Sequence, residues 1–303
     1  MKRAFTIIEL IFTMVILGIV ASIASGLIAK TYMGYNRANA INRANMQVEL
    51  AITQIANRLD YAIGGTVVKR KSATSHEISA IDTAPEDYDV LEWIGWDKDG
   101  FNASRDITTS RKPGWSGFCN INASSKNSIV TPGSDLAFAN TIIRKLSAGQ
   151  ARFDNSKDNV AIFFPGNYDY TNVGYNGSNH NGVGIVTTYS NVPPTLSIQP
   201  PANNRITEHY KLAWSAYAIV PVDINATGDD TFNLQLRYNF RPWKGKDYDS
   251  TTGVKKQILA KNITVFKTYA TQNRVHIKLC AKERIGLNAN STISVCKEKV
   301  VFK

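Results

Sequence analysis

The chain has 303 residues, 43% of them hydrophobic, with 35 Lys or Arg against 24 Asp or Glu for a net charge of +11. That hydrophobic share excludes a chain too polar to fold, and the length beyond residue 65 suffices for one large or two small lobes. Three cysteines with no Cys-x-x-Cys pair and no Cys/His cluster exclude the usual zinc frameworks, so no metal and no cofactor is expected.

Residues 5–29, FTIIELIFTMVILGIVASIASGLIA, form an apolar run with a single charge, Glu9. Such a run is long enough to cross a bilayer as a helix, and longer than the apolar stretch of about 15 residues in a secretory signal. A lone carboxylate among isoleucines and leucines costs a few kcal/mol in lipid and is kept where a positive partner is supplied. Cleavage after Ala4 would supply one, because the new amino group of Phe5 would carry the opposite charge. An ordinary signal anchor, by contrast, would keep its amino terminus uncut. Lys2 and Arg3 hold the leader in the cytoplasm, so everything beyond Lys30 is expected across the membrane.

The stretch Ala4-Phe5-Thr6-Ile7-Ile8-Glu9, behind the short basic leader of residues 1–4, resembles the amino-terminal signature of type IV prepilins and type II secretion pseudopilins. Ala4 stands where that family usually has Gly. The resemblance implies that a prepilin peptidase cuts between Ala4 and Phe5 and methylates the new amine of Phe5. It also implies that Glu9 pairs with the amine of a neighbouring subunit during assembly. The expected location is then the inner membrane, single-pass, with the head in the periplasm and the chain later transferred to a filament.

Beyond Lys30 the apolar residues Ile41, Ala44, Val48, Ile52, Ile55, Leu59 and Ile63 recur at steps of three or four, opposite Arg43, Gln47, Gln54, Asn57 and Arg58. This one-sided stripe predicts that the helix continues over 30–63, packs on a head, and stops at Gly64-Gly65. From Phe5 to Ile63 it would extend roughly 88 Å. Gly18, Gly26 and Gly34 are read as ordinary glycines of a membrane helix.

Residues 64–303 are expected to form a β-rich periplasmic head. The strongest strand signals are 211–222 and 232–240; in the second, Phe232, Leu234, Leu236, Tyr238 and Phe240 alternate with polar residues. Shorter strands are predicted at 160–164, 184–188, 257–266, 274–279 and 292–302, and a helix at 135–146. Asn-, Gly- and Ser-rich ground at 102–134 and 166–190 reads as surface loops. The fold class is therefore α+β and pilin-like: one long helix, its first half transmembrane, packed on an antiparallel sheet. Arg241-Pro242-Trp243 and the strands after it resemble the J-type minor pseudopilin pattern, and Trp243 is read as a packing residue.

Cys280 and Cys296 fall on neighbouring predicted strands, so a disulfide between them is plausible in an oxidising compartment; three thiols allow three pairings, and Cys119 would then be a buried free thiol. Basic residues are scattered apart from Lys69-Arg70-Lys71 and Lys255, Lys256 and Lys261, which reads as a solvated surface ahead of a DNA patch. Asp97, Asp99, Gly100 and Asn102 look like the start of a calcium loop, but no Glu follows at the required spacing and a surface turn is the plainer reading. The four histidines, His76, His180, His209 and His276, sit near no hydrolase motif, and the chain is read as a non-enzyme. Asn225 lies in an Asp-x-Asn-x-Thr string similar to a bacterial N-glycosylation acceptor.

The functional expectation is a minor pilin or pseudopilin of a type II secretion or type IV pilus-like filament, at the tip or in assembly priming. Its partners would be prepilin peptidase, the inner membrane, and other pseudopilins or minor pilins bound through the amino-terminal helix. The alternative is a pilus-tip module that binds DNA, or a surface ligand through Trp93, Trp96, Trp115 and the tyrosines of 168–175.

Overall fold

The computed structural model describes residues 6–71, 77–107, 110–154, 159–177, 179–224, 228, 230–272, 274–286 and 291–302. Helix α1 (Ile7–Leu59) is continuous over 53 residues, about 80 Å at 1.5 Å per residue, and runs through Gly18, Gly26 and Gly34 without a break. Its second half buries Ala40, Ala44, Val48, Ala51, Ile52, Ile55, Ala56 and Leu59. That is the expected stripe, deepened by alanines that let the sheet approach closely.

The helix stops four residues before Ile63. The chain there is captured by a strand, β3, described below: Ala62 bridges Gly95, the Ile63 N–H donates to the Ile94 carbonyl at 2.8 Å, and the Trp96 N–H donates to the Tyr61 carbonyl at 3.0 Å. Strand partners satisfy these backbone groups and displace the last helical turn.

The head begins with β1 (Val68–Arg70), β2 (Ile78–Ala80) and β3 (Val90–Gly95), followed by a short helix α2 (Lys98–Asn102) and the small hairpin β4 (Ser104–Ile107) and β5 (Ser110–Pro113). A second sheet is built from β6 (Ser128–Val130), β7 (Ala161–Phe163), β8 (Gly184–Asn191), β9 (Pro194–Gln199) and β10 (Lys211–Ala213), with α3 (Leu136–Leu146) between β6 and β7. The chain then returns to the first sheet with β11 (Ser215–Val222), β12 (Phe232–Phe240), β13 (Lys255–Thr271), β14 (Arg274–Arg284) and β15 (Thr292–Phe302).

The first sheet is antiparallel in the order β15-β14-β13-β12-β11-β3-β1-β2; the second runs β10-β7-β8-β9-β6. Side chains alternate between two cores. Leu91, Trp93 and Ile219 face α1, whereas Val90, Ile94, Ala216, Ala218 and Val220 face the second sheet. The far face of the second sheet, with Ile162, Val186, Leu196 and Ile198, packs on Leu136, Ala139 and Ile143 of α3. The head is thus four layers: α1, first sheet, second sheet, α3.

Several expectations shift. The strand predicted at 211–222 divides at Trp214, because β10 pairs with β7 in the second sheet and β11 with β3 and β12 in the first. Part of 102–134, expected as loop, carries β4, β5 and β6, and β8 extends past residue 188 to pair with β9.

Candidate functional site

The amino-terminal end of α1 is organised around Thr6 and Glu9. Thr6 is the extended N-cap residue, and its hydroxyl oxygen accepts from the Glu9 N–H at 3.4 Å. The Glu9 carboxylate accepts from the Thr6 N–H at 3.2 Å and from the Thr6 hydroxyl at 3.1 Å, completing a reciprocal capping box. This holds Glu9 against the positive end of the helix dipole, where a negative charge is stabilised. A carboxylate offers about four acceptor positions, so two bonds from a neutral residue leave room for an ammonium group. Ala4, Phe5 and the rest of the leader lie outside the described residues, as do Asn225 and His76.

The helix that follows has nothing of its own chain to bury it. Ile7, Ile8, Phe12 and Leu17 are each more than two-thirds exposed, and the most apolar window of α1 has a mean hydropathy of 2.5 with no residue buried. Length and composition make it a candidate membrane span, and a surface this apolar calls for lipid or other helices around it.

Among the described residues, polar contacts fasten the second half to the head. Gln47 donates to the Lys261 carbonyl, Lys297 pairs with Glu49 at 2.7 Å, and the Lys299 ammonium donates to the Thr53 hydroxyl at 3.3 Å. The Lys297 ammonium holds the Glu49 carboxyl below its usual range. Inward-facing lysines on the edge strand β15 also discourage strand addition there.

Cys280 and Cys296 are directly paired across β14 and β15 and form a disulfide. Cys119 is a buried free thiol, pushed up in pKa by burial, and donates to the Ser124 hydroxyl at 3.4 Å. Asp97 is not on a surface turn: it is 2% exposed and caps α2, accepting from the Gly100 N–H at 3.1 Å and from the Trp115 indole N–H at 3.0 Å. Burial pushes its carboxyl up to about 6. Among the described residues there is no group of three or more His, Cys, Asp or Glu placed to hold a metal.

The remaining candidates are dispersed. His209 lies against Phe118, and His276 stacks on Tyr269 with Glu298 at 3.2 Å. Lys69 and Arg70 are buried; Lys69 donates to the Pro85 carbonyl and Arg70 pairs with the fully buried Glu92 at 2.8 Å, while Lys71 pairs with Asp87. Trp93, Trp115 and Tyr175 belong to the cores, and Trp243 is buried with its indole N–H on the Asn159 carbonyl. The buried Arg70–Glu92 pair has one signal in the sequence, an acid in the middle of the apolar stretch VLEWIG.

Residues 1–25 match the family model described as the prokaryotic N-terminal methylation motif. No curated protein and no solved structure matches the chain. The motif implies processing by prepilin peptidase and assembly with other pilins, and it points to a structural subunit. Together with a long apolar helix carrying an antiparallel head, it supports a membrane-anchored protein of the type IV pilin and pseudopilin kind.

Proposed function

We propose that the chain is a minor pilin or pseudopilin, cut between Ala4 and Phe5, methylated on Phe5, and docked into a filament at its tip or in its priming complex. The observation that carries this reading is the bare apolar half of α1 opening on Glu9, a carboxylate set at the helix start with acceptor positions to spare. Burial of that half among neighbouring helices would drive assembly, and pairing of Glu9 with an amine would set the axial register, since a misaligned subunit leaves the carboxylate unpaired in apolar surroundings. A four-layer head favours a tip or priming place, because bulky heads hinder close stacking along a shaft. The J-type assignment rests on Arg241-Pro242-Trp243, which here forms a buried turn at the end of β12.

The test is cross-linking in native membranes, with identification of the partners and of the mature amino terminus in one sample. Methylated Phe5 at the start and sibling pseudopilins in the cross-links are expected; an intact Met1 with no such partners would overturn the reading.

The tip-binding alternative is weakened because Trp93, Trp115 and Tyr175 are core residues and Lys69, Arg70 and Lys71 are engaged within the head, while Trp96, Tyr168 and Tyr170 are half-buried. A retardation assay with duplex DNA is expected to give no salt-sensitive shift.

A further inference from the structure

A cleft of about 560 Å³ lies where the β14–β15 hairpin comes down onto the stalk. Its walls are Tyr32, Met33 and Arg37 of α1 and Ile285, Ser291 and Ile293 of the hairpin. Tyr32 and Met33 are 63% and 68% exposed, and Ile285 and Ile293 are half-buried. The contact is close: a Cβ added at Gly286 would lie 3.3 Å from the Asn36 side-chain nitrogen.

Because α1 is unbroken, height along it follows from residue number. The apolar part of α1, residues 7–29, spans about 35 Å at 1.5 Å per residue. A bilayer with its headgroups is about 40–45 Å thick around a hydrocarbon core of about 30 Å, which puts Lys30 to Met33 in the headgroup layer, level with Ile285, Ser291 and Ile293 across the cleft. Lys30 and Arg37 are seven residues apart, two turns on one face, and long basic side chains extend toward the interface. Tyr32 and Tyr35 are the amphipathic rings found at that depth.

The charge around the cleft is mainly positive. Among the described residues no carboxylate lines it, and the adjoining cleft, which shares Gly286 and Thr292, carries Arg43, Lys282 and Arg284 against Glu283 alone.

We propose that this cleft seats on anionic phospholipid headgroups of the membrane that α1 spans. Lys30 and Arg37 donate to the phosphate, and Met33, Ile285 and Ile293 lie against the headgroup glycerol. The head is then moored by a second lipid contact, released when the stalk leaves the membrane. This rests on the membrane-inserted reading above.

The test uses the full chain with a nitroxide on Ser291→Cys, reconstituted in phosphatidylglycerol vesicles and in pure phosphatidylcholine vesicles. Collisions with lipid-soluble oxygen are compared with collisions with a water-soluble nickel chelate, and Val192→Cys, on the exposed β8–β9 turn, is the aqueous control. Ser291 is expected to be shielded from the nickel chelate in the anionic vesicles and to collide with it freely in phosphatidylcholine, while Val192 stays accessible in both. Lys30→Gln with Arg37→Gln should reduce the moored population roughly fivefold per charge removed. Flotation of the chain with a Ser291 site equally aqueous in both vesicles would overturn the mooring alone. Protection that follows protein-to-lipid ratio and not lipid charge would overturn it too, and would assign the cleft to a second copy's helix. Failure to float would overturn the membrane reading and the mooring with it.

Discussion

Asp97 opposes its own charge. Its unfolded value lies near 3.8 and its folded value is about 6, so the folded head holds the proton more tightly than the unfolded chain. The group's contribution is therefore fully present below about pH 4 and is lost as pH rises through about 6, a change of about 2–3 kcal/mol. Glu49 and Asp87, whose carboxyls are held low by lysines, act in the opposite sense, so the informative quantity is a difference. Urea unfolding of the native chain and of Asp97→Asn between pH 4 and 7 is expected to give curves that diverge by about 2 kcal/mol across that window; parallel curves would refute the assignment. Glu92 behaves otherwise, because a guanidinium meets it: Glu92→Ala is expected to destabilise the head by about 3–5 kcal/mol by stranding Arg70, read as a lower denaturation midpoint. The role of Asp97 was not legible in the sequence, and that of Glu92 left only one trace, an acid within an apolar stretch. Asp97 sits in a string that resembles a turn or a calcium loop, and what buries it, Trp115, is supplied by a distant segment.

At the scale of elements, the stalk and the amphipathic strands were the readable parts. The helical stripe from Ala44 to Leu59 and the alternation in β12 repeat a side-chain period that only one packing geometry satisfies. β12 and β15 have the predicted bounds. β1 and β3 were hidden because both faces are covered, which leaves no alternation to read. β9 was hidden by the prolines around it, and the split at Trp214 depends on which sheet each half meets. The β14–β15 hairpin is closed by a disulfide spanning 16 residues, so Cys280→Ala with Cys296→Ala is expected to lower stability by about 3 kcal/mol, measured against the oxidised chain. The turn after β12 imposes another constraint. Gly174 has φ +99°, and a Cβ there would lie 2.3 Å from the Pro242 carbonyl oxygen. Gly174→Ala should therefore cost about 1–3 kcal/mol by pushing the Arg241-Pro242-Trp243 turn away, seen as a lower Tm.

For the whole molecule, the division between a bare half of α1 and a buried half sets what assembly must do. The head needs no partner to complete its cores, while the apolar half needs lipid or neighbours. Glu9→Val keeps the helix apolar and removes the carboxylate, so insertion should persist and incorporation into filaments should fall steeply; normal filament yield would count against the register role.

The strand pair Gly95 and Ser215 has a kinetic implication. These neighbours in the first sheet are separated along the chain by on the order of a hundred residues, an excursion that contains the second sheet and α3. If that excursion stayed a loose loop, its entropy would oppose the pairing of β3 with β11. Once it compacts, its two ends are delivered side by side and the same pairing becomes almost local. The second sheet with α3 is therefore expected to mature before the first sheet is complete beneath the stalk, so that slowing it delays the docking of α1.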